Sequence, residues 1–264
     1  MTRLPYWHVD AFANRPFAGN QAAVMPLDEW LPDATLQAIG EENNFAETAF
    51  VVPDGTGEAD YELRWFTPTT EIRLCGHATL ASGHVLLERD GGERVTFRTR
   101  KAGTLEVRRS EAGLELALPA ITTRPGEWPE AVAHLRVTPR EVHLNPDGYG
   151  IYLFESEDQV RGLDPDIRGL GALGDDQFIC TAPGKETDIV SRVFVPGGGV
   201  DEDSFTGSAH AVLTPFWAKR LGREEFSAFQ ASSRGGRATC RLDGDRVWLG
   251  GPCVTVVKGE FALP

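Results

Sequence analysis

Apolar and polar residues alternate in short runs along most of the chain, and the runs stop at Gly, Pro or Asp. That period-two pattern predicts strands at 6–12, 47–53, 61–66, 94–100, 104–109, 114–118, 149–154, 192–196, 237–242 and 246–250. Helices are predicted over 33–43, with Asp33 as N-cap, and over 77–89, 138–144 and 208–221. Pro215 inside the last one implies a kink or a late start. Hairpins flank one long helix in each half, which indicates an α+β fold and not a doubly wound parallel sheet. No G-x-G-x-x-G follows a strand, no Walker lysine is present, and 197-GGGV-200 reads as a turn.

The pattern also repeats. The stretch 64-RWFTP-68 is followed by Gly76 and Ala78, and 192-RVFVP-196 by Gly207 and Ala209. Downstream, Phe97 precedes Gly103 as Phe229 precedes Gly235, and both 113-GLELALP-119 and 244-GDRVWLGGP-252 close on a proline. An ordered series of this kind reads as a duplication. The Pro-rich 119-PAITTRPGEWPE-130 suits the linker, which places the domains at 1–120 and 121–264, with the last strand free to cross back. A pseudo-two-fold between the halves predicts that the two glycine turns face one small-molecule site.

Composition narrows the function classes. The net charge of −13 argues against nucleic acid, whose phosphates need clustered Lys and Arg. No apolar run is long enough to span a bilayer. The four cysteines are scattered without a C-x-x-C pair, and the start MTRLPYWHVDAF has no signal-peptide pattern, so the cytoplasm is the expected home.

The candidate chemistry gathers at the two turns, 75-CGHA-78 and 206-TGSA-209. A helix start carries unpaired N–H groups and partial positive charge, and Gly76 and Gly207 would let a small carboxylate approach the backbone. Each turn alone could equally be a simple turn into a helix. Glu47 lies where a helix ends and an apolar strand begins, in 41-EENNFAETAF-50. A carboxyl group kept partly dry can take and return a proton near neutral pH, whereas a solvated edge glutamate cannot do so as well. Asp203 precedes Ser208 by five residues and could brace the turn or bind a substrate cation; Asp201 and Glu202 read as solvated loop charges. His77 could donate to a substrate, His84, His134 and His143 read as structural, and His210 stays open. Cys75 and His77 supply two metal ligands at most, below the three or four that a site needs. There is no G-x-S-x-G elbow.

Taken together, 9-VDAFANRPFAGNQAAV-24, 46-AETAFV-51, 64-RWFTPTTEIRLCGHATLASGHVL-86, 203-DSFTGSAHAVL-213 and 258-KGE-260 resemble the PhzF-type phenazine-biosynthesis isomerase family over essentially the whole chain. The resemblance implies the diaminopimelate epimerase-like fold: two pseudo-symmetric domains, each a curved, mostly antiparallel sheet around a central helix. Epimerase relatives use a cysteine at each glycine turn. Here the second position is Thr206, far too weak an acid for that role, so Cys75 is expected to be a buried bystander. The resemblance implies Glu47 as the single acid/base of a proton shift of the trans-2,3-dihydro-3-hydroxyanthranilate isomerase type. It implies substrate binding by Gly76, His77, Asp203, Gly207 and Ser208. It implies no metal or organic cofactor, a small carboxylate substrate, a homodimer, and neither nucleic acid nor membrane as partner. Ala46 and Ser204 depart from the family's usual Ser and Pro. An amino-acid racemase or epimerase and a non-catalytic small-acid binding protein are the alternatives.

Overall fold

The computed structural model describes residues 2–111 and 113–263. The chain divides into two compact units, Met1–Leu118 with Gly250–Pro264, and Pro119–Leu249.

The first unit runs β1 (Thr2–Ala11), β2 (Asn20–Pro26), α1 (Asp33–Asn43), β3 (Glu47–Pro53), β4 (Tyr61–Phe66), β5 (Glu71–Ile72), α2 (Gly76–Arg89), β6 (Arg94–Thr99), β7 (Thr104–Ser110) and β8 (Gly113–Pro119). The last strand of the chain, Cys253–Leu263, returns to pair antiparallel with β1. From β1 the pairings alternate in sense: β1–β2 antiparallel, β2–β3 parallel, β3–β4 antiparallel, β4–β6 parallel, β6–β7 antiparallel. Eleven of the fourteen residues of α2 are buried, so the sheet encloses the helix on nearly all sides. Its contact with β7 is tight at Gly83, where a Cβ would lie 2.4 Å from a Val107 methyl. The opposite face of the sheet packs on α1 through Leu4, Met25, Leu36, Ile39, Phe50 and Phe66. Burying a set of this size stabilises by about 1.5–3 kcal/mol per large side chain.

The second unit runs β9 (Arg124–Pro125), α3 (Pro129–Leu135), β10 (Glu141–Asn145), β11 (Tyr149–Leu153), α4 (Glu157–Arg161), α5 (Ile167–Gly171), β12 (Gln177–Pro183), β13 (Ile189–Phe194), α6 (Gly207–Leu221), β14 (Glu225–Gln230), β15 (Gly236–Asp243) and β16 (Arg246–Gly251). The same alternation recurs from β10 to β15: antiparallel, parallel, antiparallel, parallel, antiparallel. With α6 in the place of α2, the repeat read from the residues is a repeat of topology, and the fold is α+β.

The two R-x-F-x-P arginines do the same work. Arg64 on β4 makes paired hydrogen bonds to Glu71, both at 2.8 Å, and its guanidinium lies 5.0 Å from the Phe66 ring centre. Arg192 on β13 is paired with Glu202 at 2.7 and 2.9 Å and lies 5.0 Å from the Phe194 ring. Glu202 is therefore no solvated loop charge. Planar two-point pairing of this kind requires a guanidinium.

Two local expectations are corrected, and two strands are added that the pattern did not mark. Residues 138–144 are no helix: Glu141–Asn145 is a strand bonded on one side to β11 and on the other to β9, and this long-range pairing outweighs local preference. Asp33 is the first residue of α1, not its cap, and its carboxylate accepts from Arg64 at 2.8 Å. Strands β2 and β12 are nearly continuously buried and pair in parallel with a neighbour, so they lack the alternation that marks a half-exposed strand.

Candidate active site

In the first unit, three segments bring their ends together. Helix α1 stops because Asn44 turns left-handed at φ 50° and returns its N–H to the Gly40 carbonyl. The chain then enters β3 at Glu47, which lies beside Ala22 in parallel register. Helix α2 begins after Cys75, which is extended at φ −139°, so His77 sits in the first turn. Strand β2 begins at Asn20 after a loop that closes on Gly19, at φ +61°, where a Cβ would strike the Ala11 carbonyl oxygen.

The His77 ring is the meeting point. Its Nε2 lies 2.9 Å from Glu47 Oε2 and 3.2 Å from the main-chain oxygen of Gln21. Its Nδ1 lies 3.2 Å from Asn20 Nδ2 and 3.5 Å from Cys75 Sγ. A proton on Nε2 lies between the Gln21 oxygen and the buried Glu47 Oε2. Glu47 as a whole keeps 15% of its side chain exposed, enough to be reached, whereas His77 and Cys75 are buried.

Electrostatics separates the three groups. Burial pulls the His77 imidazole down, but the negative charges that Cys75 and Glu47 can carry beside it outweigh that and raise the ring well above its ordinary value; with Cys75 a thiol at neutral pH, Glu47 is the anion that acts there. Burial, aided by the negative charge of Glu47, pushes the Cys75 thiol up to about 11. At neutral pH Cys75 is thus a neutral thiol, unfit as a nucleophile or base.

The three donor atoms lie within 4.8 Å of one another, so tertiary structure adds a third potential metal ligand to the two visible in sequence. They do not converge well. The sulfur is nearer Nδ1 than Nε2 (3.5 against 4.0 Å), while the carboxylate sits at Nε2. The arrangement suits proton handling better than metal binding.

In the second unit, Thr206 and Gly207 open α6, and Asp203 braces the turn. The Thr206 hydroxyl donates to Asp203 Oδ2 at 2.6 Å. The buried Gln230 accepts from the Thr206 N–H at 2.9 Å and donates to the Asp203 carbonyl at 2.8 Å. Ser208 shares two hydrogen bonds with the Gln177 amide, at 2.9 and 3.2 Å. His210 stacks on Phe205 at 4.4 Å and donates from Nδ1 to the Thr206 carbonyl; its Nε2 is buried without a partner. Burial pulls His210 down to about 4, so the ring is neutral.

Glu47, Gly76 and His77 are thus gathered in one unit, and Asp203, Gly207 and Ser208 in the other. Neither Cys75 nor Thr206 caps its helix with a side-chain hydrogen bond. Asn20, Gln21, Gln177 and Gln230 were not singled out by sequence. Asn20 and Gln21 lie inside 9-VDAFANRPFAGNQAAV-24, but uncharged amides give no pattern that marks them as site residues.

An isomerase is the class that comparisons with known proteins define: an uncharacterized isomerase of Pseudomonas aeruginosa is 45% identical over 99% of each chain. Residues 9–259 match the family model described as phenazine biosynthesis-like protein, and the chain belongs to that PhzC/PhzF family. A crystal structure of a PhzF-family phenazine biosynthesis protein from Enterococcus faecalis superposes with a TM-score of 0.92 at 41% identity, covering 99% of this chain and 100% of that one. A predicted epimerase from Pseudomonas aeruginosa shares the fold, with a TM-score of 0.74 at 21% identity over 99% and 100% of the two chains. Among the described residues no helix is long and apolar enough to cross a membrane.

Proposed function

We propose that the protein is a cofactor-independent isomerase that moves a proton between two carbons of a small cyclic amino or hydroxy acid, with Glu47 as the one acid/base. The observation that carries the proposal is the Glu47 Oε2 atom. It is buried and lies 2.9 Å from a histidine held well above its ordinary value. A carboxylate kept partly dry and paired with an imidazole can take a proton from a carbon acid and return it. In a reaction of the trans-2,3-dihydro-3-hydroxyanthranilate isomerase type, Glu47 takes the proton from C3 and returns the same proton to C1. No atom is gained or lost.

Substrate binding falls to His77 and the Gly76 main chain in the first unit and to Asp203, Ser208 and the Gly207 main chain in the second. The substrate class is a small carboxylate, for which uncapped helix N–H groups are suited. The same reading takes the enzyme to be a cytoplasmic homodimer, which light scattering on the purified chain tests directly.

The experiment is turnover of trans-2,3-dihydro-3-hydroxyanthranilate in heavy water by wild type and Glu47→Gln, followed by absorbance and mass. Turnover by wild type, its loss in the variant, and little deuterium in the product are expected. Turnover that survives in Glu47→Gln removes Glu47 from the reaction. Solvent deuterium at an amino-acid Cα, lost in Cys75→Ala, would establish the racemase alternative instead.

A further inference from the structure

Both nitrogens of the His77 ring are met by the first two residues of β2, the side chain of Asn20 at Nδ1 and the main chain of Gln21 at Nε2. A main-chain carbonyl only accepts, so it fixes a proton on Nε2 in every state of the ring. The open question at this ring is therefore the second proton, on Nδ1, and the group that faces Nδ1 is an amide buried to 2% exposure. As placed, the Asn20 Nδ2 faces Nδ1 at 3.2 Å and gives an N–H to a bare Nδ1, whereas the same amide turned over would accept from a protonated one. We propose that Asn20 is a positioning residue that sets how many protons His77 carries, and thereby the charge that faces the Glu47 carboxylate. The role in turnover rests on the proton-shift reading above; the effect on the ring does not.

The other groups packed around α2 leave this control to few hands. The titratable groups that face the ring are Glu47 from β3 and Cys75 from the helix start. On β1, Asp10 accepts from the Phe17 N–H at 2.7 Å and lies 3.8 Å from His8. On β6, Arg98 is paired with Asp54; on β7, Arg109 binds the Leu87 carbonyl at the far end of α2. On the last strand, Lys258 lies over the Trp7 ring. With Cys75 held as a thiol, Asn20 is the neighbour whose replacement changes what Nδ1 can do.

Two variants push the ring in opposite directions. Asn20→Asp keeps the shape and supplies only acceptors, so it favours the doubly protonated ring. Asn20→Leu removes the partner and favours the singly protonated one. Nitrogen-15 imidazole spectra of the full chain, recorded against pH without substrate and assigned with His77→Gln, read the result. We expect the His77 midpoint to rise by about one pH unit or more in Asn20→Asp and to fall by a similar amount in Asn20→Leu. The pH dependence of turnover should move the same way. An unmoved His77 midpoint in a folded Asn20→Asp chain overturns the proposal, even if Asn20→Leu proves too unstable to record. Because the spectra need no substrate, failure of the proton-shift reading leaves this outcome legible.

Discussion

At the start of α2 a buried histidine faces a carboxylate; at the start of α6 a buried histidine lies flat on a phenylalanine. The two helices hold the same place in two copies of one topology. Even a small main-chain device is shared: the Thr79 hydroxyl returns to the Cys75 carbonyl at 2.5 Å, and His210 Nδ1 returns to the Thr206 carbonyl at 2.8 Å. The surroundings then give opposite results. His77 is held well above its ordinary value by its neighbours, and His210 is pulled to about 4 by burial. Burial lowers both rings. What differs is whether an anion lies within contact distance, and in the proposed reaction that one Glu assigns the acid/base chemistry to the first half.

The largest test of this contrast compares Glu47→Gln with Thr206→Val. The first should lower turnover by about 10²–10⁴-fold in a chain that still folds, with a somewhat lower melting temperature because the buried His77 loses its counter-charge. The second removes a bracing hydrogen bond to Asp203 and should cost less than about tenfold. Comparable losses would mean that the second turn shares the chemistry. Next in size is the arginine pair. Arg64→Ala strands Glu71 and should cost about 3 kcal/mol or more in urea unfolding, and Arg64→Lys should recover less than half of that. Arg192→Ala should cost a similar amount through Glu202. A large loss in one unit only would break the equivalence of the halves.

The pH dependence of stability sharpens the contrast in sign. The native His210 value lies below its ordinary 6.5, so its contribution is complete above pH 6.5 and fades as the pH falls toward 4. The loss should reach about 3 kcal/mol, and His210→Phe should flatten that limb. His77 lies above 6.5, so its contribution is complete below pH 6.5 and fades as the pH rises through its native value. His77→Gln should flatten the alkaline limb instead. The smallest effect is at Cys75. Cys75→Ala should keep turnover within about threefold, and iodoacetamide at pH 8 should leave the folded thiol unmodified, as a value of about 11 requires. Rapid labelling of Cys75 would reopen the two-base alternative.

The sequence alone determined the duplicated plan, because R-x-F-x-P, the glycine turns and the paired phenylalanines are local patterns that survive copying. It also disfavoured the symmetric two-cysteine scheme at Thr206, since a threonine hydroxyl is far too weak an acid to replace the second thiol. Half-exposed strands such as Arg94–Thr99 were legible because one face must be apolar. Strands β2 and β12 were not, because burial on both faces erases alternation, and 138–144 misled because its strand exists only through partners far away in sequence. The gathering of Glu47, His77, Cys75 and Asn20 around one ring was beyond sequence for the same reason. Three segments spread over nearly sixty residues meet through sheet register and helix packing, and the proton state of the ring is a property of that meeting and not of any one residue.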